Sequence, residues 1–83
     1  LNLGELSFKY KKHSRPLLGM SVSKNYGNAV RRNLFKRRCR SVFKSILVDN
    51  NINYSIIIFP IKKNISYLNI NKSFNSFYDK ISN

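Results

Sequence analysis

Apolar and polar residues alternate at the start of the chain. Residues 5–12 place Leu6, Phe8 and Tyr10 on one face of an extended segment and Ser7, Lys9 and Lys11 on the other. This period of two predicts a half-buried strand. After a turn at residues 13–16, the run 17–24 predicts a second strand, and the short separation favours an antiparallel hairpin between the two.

The period then changes to that of a helix. The segment 25–28 (Asn-Tyr-Gly-Asn) is a predicted turn whose Asn28 is suited to cap a helix. Residues 29–47 contain no Pro or Gly, and at about 100° per residue their apolar side chains share one arc. That arc holds Phe35, Cys39, Val42, Phe43 and Ile46. The other side is polar and basic, so we expect a helix from Ala29 to about Leu47 that is strongly two-faced.

The rest of the chain predicts one strand and one helix. After a loop at 49–53, the β-branched run 54–59 is typical of a central strand covered on both faces, and Pro60 ends it. Three- and four-residue apolar spacing predicts a C-terminal helix over about 69–80. The order β-β-α-β-α predicts a single α+β domain over 1–83, built as a small two-layer sandwich.

Charge indicates the partner. The 83 residues carry 16 Lys and Arg against three acids, a net charge of +13. The chain is rich in Asn, Ile and Lys, residues with AT-rich codons, so the base composition of the genome can explain scattered lysines. The arginines are clustered instead, because five of the six fall within residues 31–40. No acid lies between Glu5 and Asp49. Such clustering favours a polyanion, with nucleic acid first and an anionic membrane surface second.

Other classes fit less well. A membrane-surface helix needs a wide exposed apolar face, whereas this apolar face is needed for the core, so we expect no membrane partner. A basic DNA-binding helix normally comes with a dimerisation element or a helix-turn-helix, and neither is apparent, so we expect no DNA partner. A structural ribosomal RNA-binding protein, equally small and basic, stays open as an alternative.

The sequence shows no protein catalyst. Glu5, Asp49 and Asp79 are too dispersed for a metal nuclease site, and one Cys with one His cannot build a zinc cage. His13 lies in a turn, and Cys39 lies on the apolar stripe, where packing is the simpler role. We therefore expect no catalytic side chain and no cofactor bound by the protein alone. A single Cys and the lack of a signal-peptide pattern suit the cytoplasm.

The segment from Gly19 to Phe43 carries an ordered motif. It reads Gly-Met-Ser-Val-Ser-Lys, then Gly-Asn-Ala-Val, then a helix with Arg-Asn, Lys-Arg and a later Arg. This closely resembles the signature of the bacterial ribonuclease P protein family, and the likeness continues more weakly over residues 5–80. There are two departures: Leu34 stands where the family has an arginine, and the family's aromatic N-terminal helix either lies outside the given sequence or is not used by this protein.

The resemblance implies a fold and partners. The fold is an α+β sandwich, similar to the second domain of ribosomal protein S5, with a left-handed βαβ crossover that contains the motif helix. The implied partners are ribonuclease P RNA and precursor tRNA, whose 5′ leader is removed by the RNA subunit using Mg²⁺. The protein then assists an endonuclease without carrying its chemistry.

The resemblance and the residue chemistry together give two sets of site residues. Those expected to bind the catalytic RNA are Arg31, Arg32, Asn33, Lys36, Arg37 and Arg40. Those expected to bind the leader are Phe8, Tyr10, Ser21 and Lys24. For Phe8, a place in the core is an equally good interpretation, because it shares a strand face with Leu6.

Overall fold

The computed structural model describes residues 1–82 as four strands and two long helices. The strands are β1 (Asn2–Leu3), β2 (Leu6–Lys12), β3 (Leu17–Met20) and β4 (Tyr54–Pro60). The helices are α1 (Ala29–Phe43) and α2 (Tyr67–Ser82), with a short 3₁₀ turn at Lys24–Tyr26 and a wide π turn at Lys44–Val48. This α+β architecture confirms the predicted fold class and adds the two-residue strand β1 to the predicted order.

The four strands form one mixed sheet in the order β1-β2-β4-β3. β2 pairs antiparallel with β4, from Leu6 opposite Pro60 to Lys12 opposite Tyr54. β3 pairs parallel with β4, and α1 is the connection that parallel pairing requires. The predicted β2–β3 hairpin is therefore wrong. The apolar strand β4 inserts between them, where both of its edges are hydrogen-bonded.

Both helices cover the same face of the sheet. On that face Leu6, Phe8, Ile56 and Ile58 are at most 1% exposed. The helices contribute further buried side chains to the same cluster: Phe35, Cys39 and Val42 from α1, and Ile70, Phe74 and Phe77 from α2. The core is thus a single layer of aliphatic and aromatic side chains between sheet and helices.

The opposite face of the sheet is open. In β4, Ile57 is 43% exposed, although its neighbours Ile56 and Ile58 are buried. Its partner in β3 is Gly19, which has no side chain to cover it, and its partner in β2 is the exposed Lys9. The prediction that this strand is covered on both faces is therefore wrong for the described residues. Neither helix of residues 1–82 has the length and apolarity needed to cross a membrane.

α1 begins where the sequence predicts, but it ends at Phe43, where a π turn replaces the last residues of the predicted helix. The side chain of Asn28 accepts a hydrogen bond of 2.9 Å from the backbone N–H of Arg31, which confirms the predicted cap. Four of the five residues of the predicted stripe are buried, and Ile46 is partly buried. The π turn after Phe43, in which the N–H of Asp49 donates to the carbonyl of Lys44 at 3.0 Å, shifts the helical phase. As a result Leu47 enters the core completely.

The ends of the sheet and of α2 are fixed by short-range contacts. β1 and β2 are joined by a two-residue turn in which Gly4 has a φ of +62°, a conformation that glycine adopts without strain. Before α2, the hydroxyl of the buried Tyr26 accepts a hydrogen bond of 3.1 Å from the N–H of Ile65. α2 itself extends two residues beyond the predicted helix at each end.

Candidate nucleic-acid interface

The exposed side of α1 forms a cationic groove. Because Phe35, Cys39 and Val42 are fixed in the core, the opposite side of the same rigid helix faces solvent. A groove of about 640 Å³ runs along it. Its lining residues are Val30, Asn33, Leu34, Lys36, Arg37 and Arg40. Four of the six residues predicted to bind the catalytic RNA are thus brought together, and we call this surface the α1 groove.

Arg31 lies on the neighbouring side of the helix. Its guanidinium donates a hydrogen bond of 3.2 Å to the side chain of Asn64 in the β4–α2 loop. With Arg38 and Leu34 it lines a second, smaller groove of about 250 Å³, whose floor includes Phe35 and Ile65. Leu34 therefore separates two grooves that both carry arginines. We call this second surface the loop groove.

Arg32 is placed apart from the other predicted residues. Its guanidinium donates a hydrogen bond of 2.9 Å to the backbone carbonyl of Gly27, and this bond links the start of α1 to the turn that precedes it. It is also half-buried and lines neither groove. A structural role at the start of the helix accounts for its position, with its remaining donors free for other contacts.

Among residues 1–82, no acidic side chain forms an ion pair with a cation of α1. Within residues 1–82 the structure contains one ion pair, between Lys62 and Glu5 at 4.0 Å, and it is far from ideal in length. The α1 sequence contains six Lys and Arg and no acid. Repulsion among these groups opposes their clustering unless an anion is present, so the groove is electrostatically suited to a polyanion.

The residues predicted to bind the leader are divided between core and surface. Phe8 is fully buried, stacked on Phe77 at 4.8 Å between ring centroids and edge-on to Phe74 at 5.4 Å. It belongs to the core, and this burial is incompatible with stacking on a base. Tyr10, at the open end of the same strand face, is 42% exposed and packs against Phe77. Ser21 and Lys24 are exposed.

The open sheet face carries groups that the sequence reasoning missed. Lys9 lies over the ring of Phe59 at 5.6 Å, and a shallow groove of about 170 Å³ beside it is lined by Lys9, Tyr10, Lys11, Ser55 and Ile57. An aromatic ring, an exposed isoleucine and two lysines thus share one surface. Residues 56–59 of β4 are all apolar, so the sequence gives no alternation that would identify Ile57 and Phe59 as open-face residues. In β2, the alternation does place Lys9 on the open face.

The remaining reactive groups are held in unreactive settings. Burial raises the pKa of the Cys39 thiol to about 12, an effect that the charge of Arg40 partly offsets. At neutral pH the thiol is therefore protonated and a poor nucleophile. His13 is exposed, and its Nδ1 accepts a bond of 3.3 Å from the N–H of Arg15. Among residues 1–82, no three His, Cys, Asp or Glu side chains lie close enough to share a metal ion.

Fold and surface together define a small α+β protein with a concentrated cationic helix. The sequence model of the family Ribonuclease P matches residues 4–82. A ribonuclease P protein component of Phytoplasma australiense is 36% identical over 67 residues, which are 76% of this chain and 56% of that protein. The component of Helicobacter acinonychis is 73% identical over 26 residues, 31% of this chain and 17% of that protein. The chain belongs to the Ribonuclease P family.

Solved structures agree with the fold. A Staphylococcus aureus RNase P protein mutant with defective mRNA degradation activity superposes with a TM-score of 0.81 and 26% identity, over 99% of this chain and 73% of that one. The RNase P protein of Thermotoga maritima gives a TM-score of 0.78 at 21% identity, over 96% and 80%, a likeness of fold alone. The chain spans 56% of the length of the Phytoplasma relative.

Proposed function

We propose that this chain is the protein subunit of ribonuclease P. In this role it binds the catalytic RNA and the 5′ leader of precursor tRNA, and it assists the endonucleolytic removal of that leader. The observation that carries the proposal is the α1 groove: four polar or cationic side chains on one face of a helix that is fixed by its buried opposite face. Membership of the family supports the same assignment.

The α1 groove is assigned to the catalytic RNA. Arginine binds phosphate through two parallel hydrogen bonds, and its planar fork suits the fixed phosphate geometry of a folded RNA. Arg37 and Arg40 are exposed side chains of the same groove, about one helical turn apart, with Lys36 and Asn33 beside them. Since the helix backbone is already ordered, RNA binding avoids the cost of ordering this backbone, and the costs of side-chain ordering, desolvation and lost rigid-body freedom remain.

The leader is assigned to the open face of the sheet. Single-stranded RNA binds by base stacking on aromatic rings beside cations that contact its phosphates. Lys9 and Phe59 supply that pair on the open face. Tyr10 borders the adjoining groove, but its ring packs against Phe77 on the opposite, helix-covered side of the sheet. Ser21 directly follows β3, and its N–H donates to the carbonyl of Ile58 at 3.0 Å, while Lys24 begins the next turn; both side chains are exposed and are assigned to the leader. Phe8 has no part in this site because it is buried.

Hydrolysis is assigned to the RNA subunit, which would use Mg²⁺ for this chemistry. The protein's own contribution is charge neutralisation and positioning of the substrate. Its acids fit no hydrolytic role: Glu5 accepts a hydrogen bond of 2.7 Å from Asn69 and lies near Lys62, while Asp49 follows the π turn and Asp79 lies on α2. Catalytic side chains must all reach the same reacting group, and acids at three separate positions cannot do so.

Reconstitution with a bacterial ribonuclease P RNA and precursor tRNA at low Mg²⁺ tests the proposal. We expect the protein to stimulate cleavage at the mature 5′ end and to strengthen binding of substrates with longer leaders. The paired variant Arg37→Ala/Arg40→Ala is expected to weaken RNA binding and to lower its salt slope by about 1–2, at roughly 0.7–0.9 per lost phosphate contact.

A matched control removes the same charge elsewhere. Lys72→Ala/Lys80→Ala deletes two exposed cations of α2 and should leave the slope nearly unchanged. Equal slopes for the two paired variants would remove α1 from the interface. Cleavage by the protein without RNA would contradict the assignment of the chemistry. Binding to ribosomal RNA without stimulation of tRNA processing would favour a structural ribosomal role.

A further inference from the structure

The α1 groove contains an apolar feature that phosphate binding does not use. Val30 is 76% exposed, the largest exposed fraction among the large hydrophobic side chains described in residues 1–82. Leu34, one helical turn further on, is half-buried. Side chains four residues apart on a helix are neighbours, so the two form one short apolar strip, which we call the Val30–Leu34 ridge.

Arginines border this ridge on both sides. Arg37 and Arg40 line the α1 groove next to it, and Arg31 and Arg38 line the loop groove on its other side. Leu34 is common to both grooves. An apolar strip between two rows of guanidinium groups differs from a continuous cationic face, because its centre has no donor for a phosphate oxygen.

We propose that the Val30–Leu34 ridge binds one unpaired nucleotide of the catalytic RNA by its base or ribose, while the bordering arginines hold the flanking phosphates. The proposal rests on the function proposed above and names a part of that interface. Leu34 is then a specificity-determining residue, and it selects an unstacked nucleotide over a phosphate.

The chemistry of the ridge favours a nucleotide. A phosphate placed on Leu34 would lose water without gaining a hydrogen bond, which is costly for a charged group. A base has an apolar face that can cover Val30 and Leu34, and guanidinium planes stack on bases that are unpaired. α1 carries six cations and no acid, and this charge gives the complementarity that directs RNA to its surface.

Salt titrations separate the apolar from the ionic contributions to the free energy of RNA binding. Dissociation constants for a bacterial ribonuclease P RNA would be measured as a function of KCl for the full chain and its variants. Leu34→Ala should weaken binding by about 3- to 10-fold, as expected for partial loss of apolar contact, with an unchanged salt slope. Val30→Ser, at a 76% exposed site where little buried contact is lost, should act in the same direction.

The reverse substitution gives the opposite signature. Leu34→Arg adds a phosphate donor and should raise the salt slope by about 0.7–0.9. Chemical probing of the RNA should show a nucleotide that the unmodified protein protects and that Leu34→Ala leaves reactive. Leu68→Ala, at a 62% exposed leucine of α2, serves as the apolar control and should change neither affinity nor protection.

The outcomes distinguish this inference from the function on which it rests. If Arg37→Ala/Arg40→Ala lowers the slope but Leu34→Ala and Val30→Ser bind like the unmodified protein, the interface stands and the ridge proposal is overturned. If the arginine pair has no effect either, the proposed function itself fails. A loss confined to binding of precursor tRNA, with the catalytic RNA bound normally, would also overturn the ridge proposal.

Discussion

At the scale of single residues, Ser73 is a buried group without a hydrogen bond. It lies on α2, is 2% exposed, and its hydroxyl has no partner among the described residues. It packs against the β1–β2 turn so closely that a Cβ built on Gly4 would lie 2.8 Å from the Ser73 Oγ. Gly4 therefore meets two constraints, its positive φ and the close approach of this hydroxyl.

Removal of the Ser73 hydroxyl should stabilise the protein. Ser73→Ala deletes an unsatisfied buried group, and we expect the free energy of unfolding to rise by about 1–2 kcal/mol in urea denaturation. Ser76→Ala on the same helix, at an exposed position, shares the gain in helix propensity and is the baseline. A Ser73→Ala protein no more stable than Ser76→Ala would show that this hydroxyl is satisfied in solution.

At the scale of elements, α1 combines a good cap with an unfavourable charge distribution. Asn28 accepts from the N–H of Arg31, but the first turn contains cations and no acid. The positive end of a helix dipole favours acids there and disfavours Arg31 and Arg32. The helix that presents the groove is thus stabilised by its cap and its buried face, against the electrostatics of its own N-terminal turn.

Substitutions of Asn28 should measure the cap and the dipole separately. Asn28→Ala should lower the free energy of unfolding by about 1 kcal/mol, because one backbone N–H loses its acceptor. Asn28→Asp retains the acceptor and adds a charge favourable to the dipole and to both arginines, so it should be at least as stable as the parent. Thermal unfolding gives both values, with exposed Asn25→Ala as the control. Equal stability of Asn28→Ala and the parent would contradict a capping role.

The elements also show what sequence can and cannot predict. α1 was predictable because its stripe, its cap and its basic face all lie within one continuous segment. The neighbours of β4 were not, since local patterns do not encode which strand inserts between two others. The burial of Leu47 depends on the π turn at Lys44–Val48, which shifts the helical phase after Phe43 and leaves no clear local signal.

The candidate site follows the same division. The grouping of Arg37 and Arg40 comes directly from helical spacing, so it was visible in the sequence. The burial of Phe8 depends on the packing of α2 residues nearly seventy positions away, which sequence spacing does not report. The hydrogen bond from Arg31 to Asn64 likewise joins α1 to a loop distant in the chain.

At the scale of the whole molecule, charge and size act together. The net charge of +13 is confined to a body with a radius of gyration of 12.0 Å. At about 0.01 M salt the Debye length is roughly 30 Å, so all the cations repel one another across the fold. At about 0.1 M it falls to roughly 10 Å, and repulsion is limited to near neighbours. The long ion pair between Lys62 and Glu5, the one found within residues 1–82, offsets little of this repulsion.

Stability should therefore rise with salt over this range. We expect the urea midpoint of unfolding to increase between about 0.01 and 0.2 M KCl, because screening relieves repulsion that the expanded chain feels less. The variant Lys36→Gln/Arg37→Gln/Arg40→Gln, which removes three cations of the α1 groove, should be more stable at low salt and less dependent on it. A midpoint that falls with salt would mean that attractive ion pairs dominate. In that case, relief of repulsion among the protein's own cations would not contribute to the free energy of RNA binding.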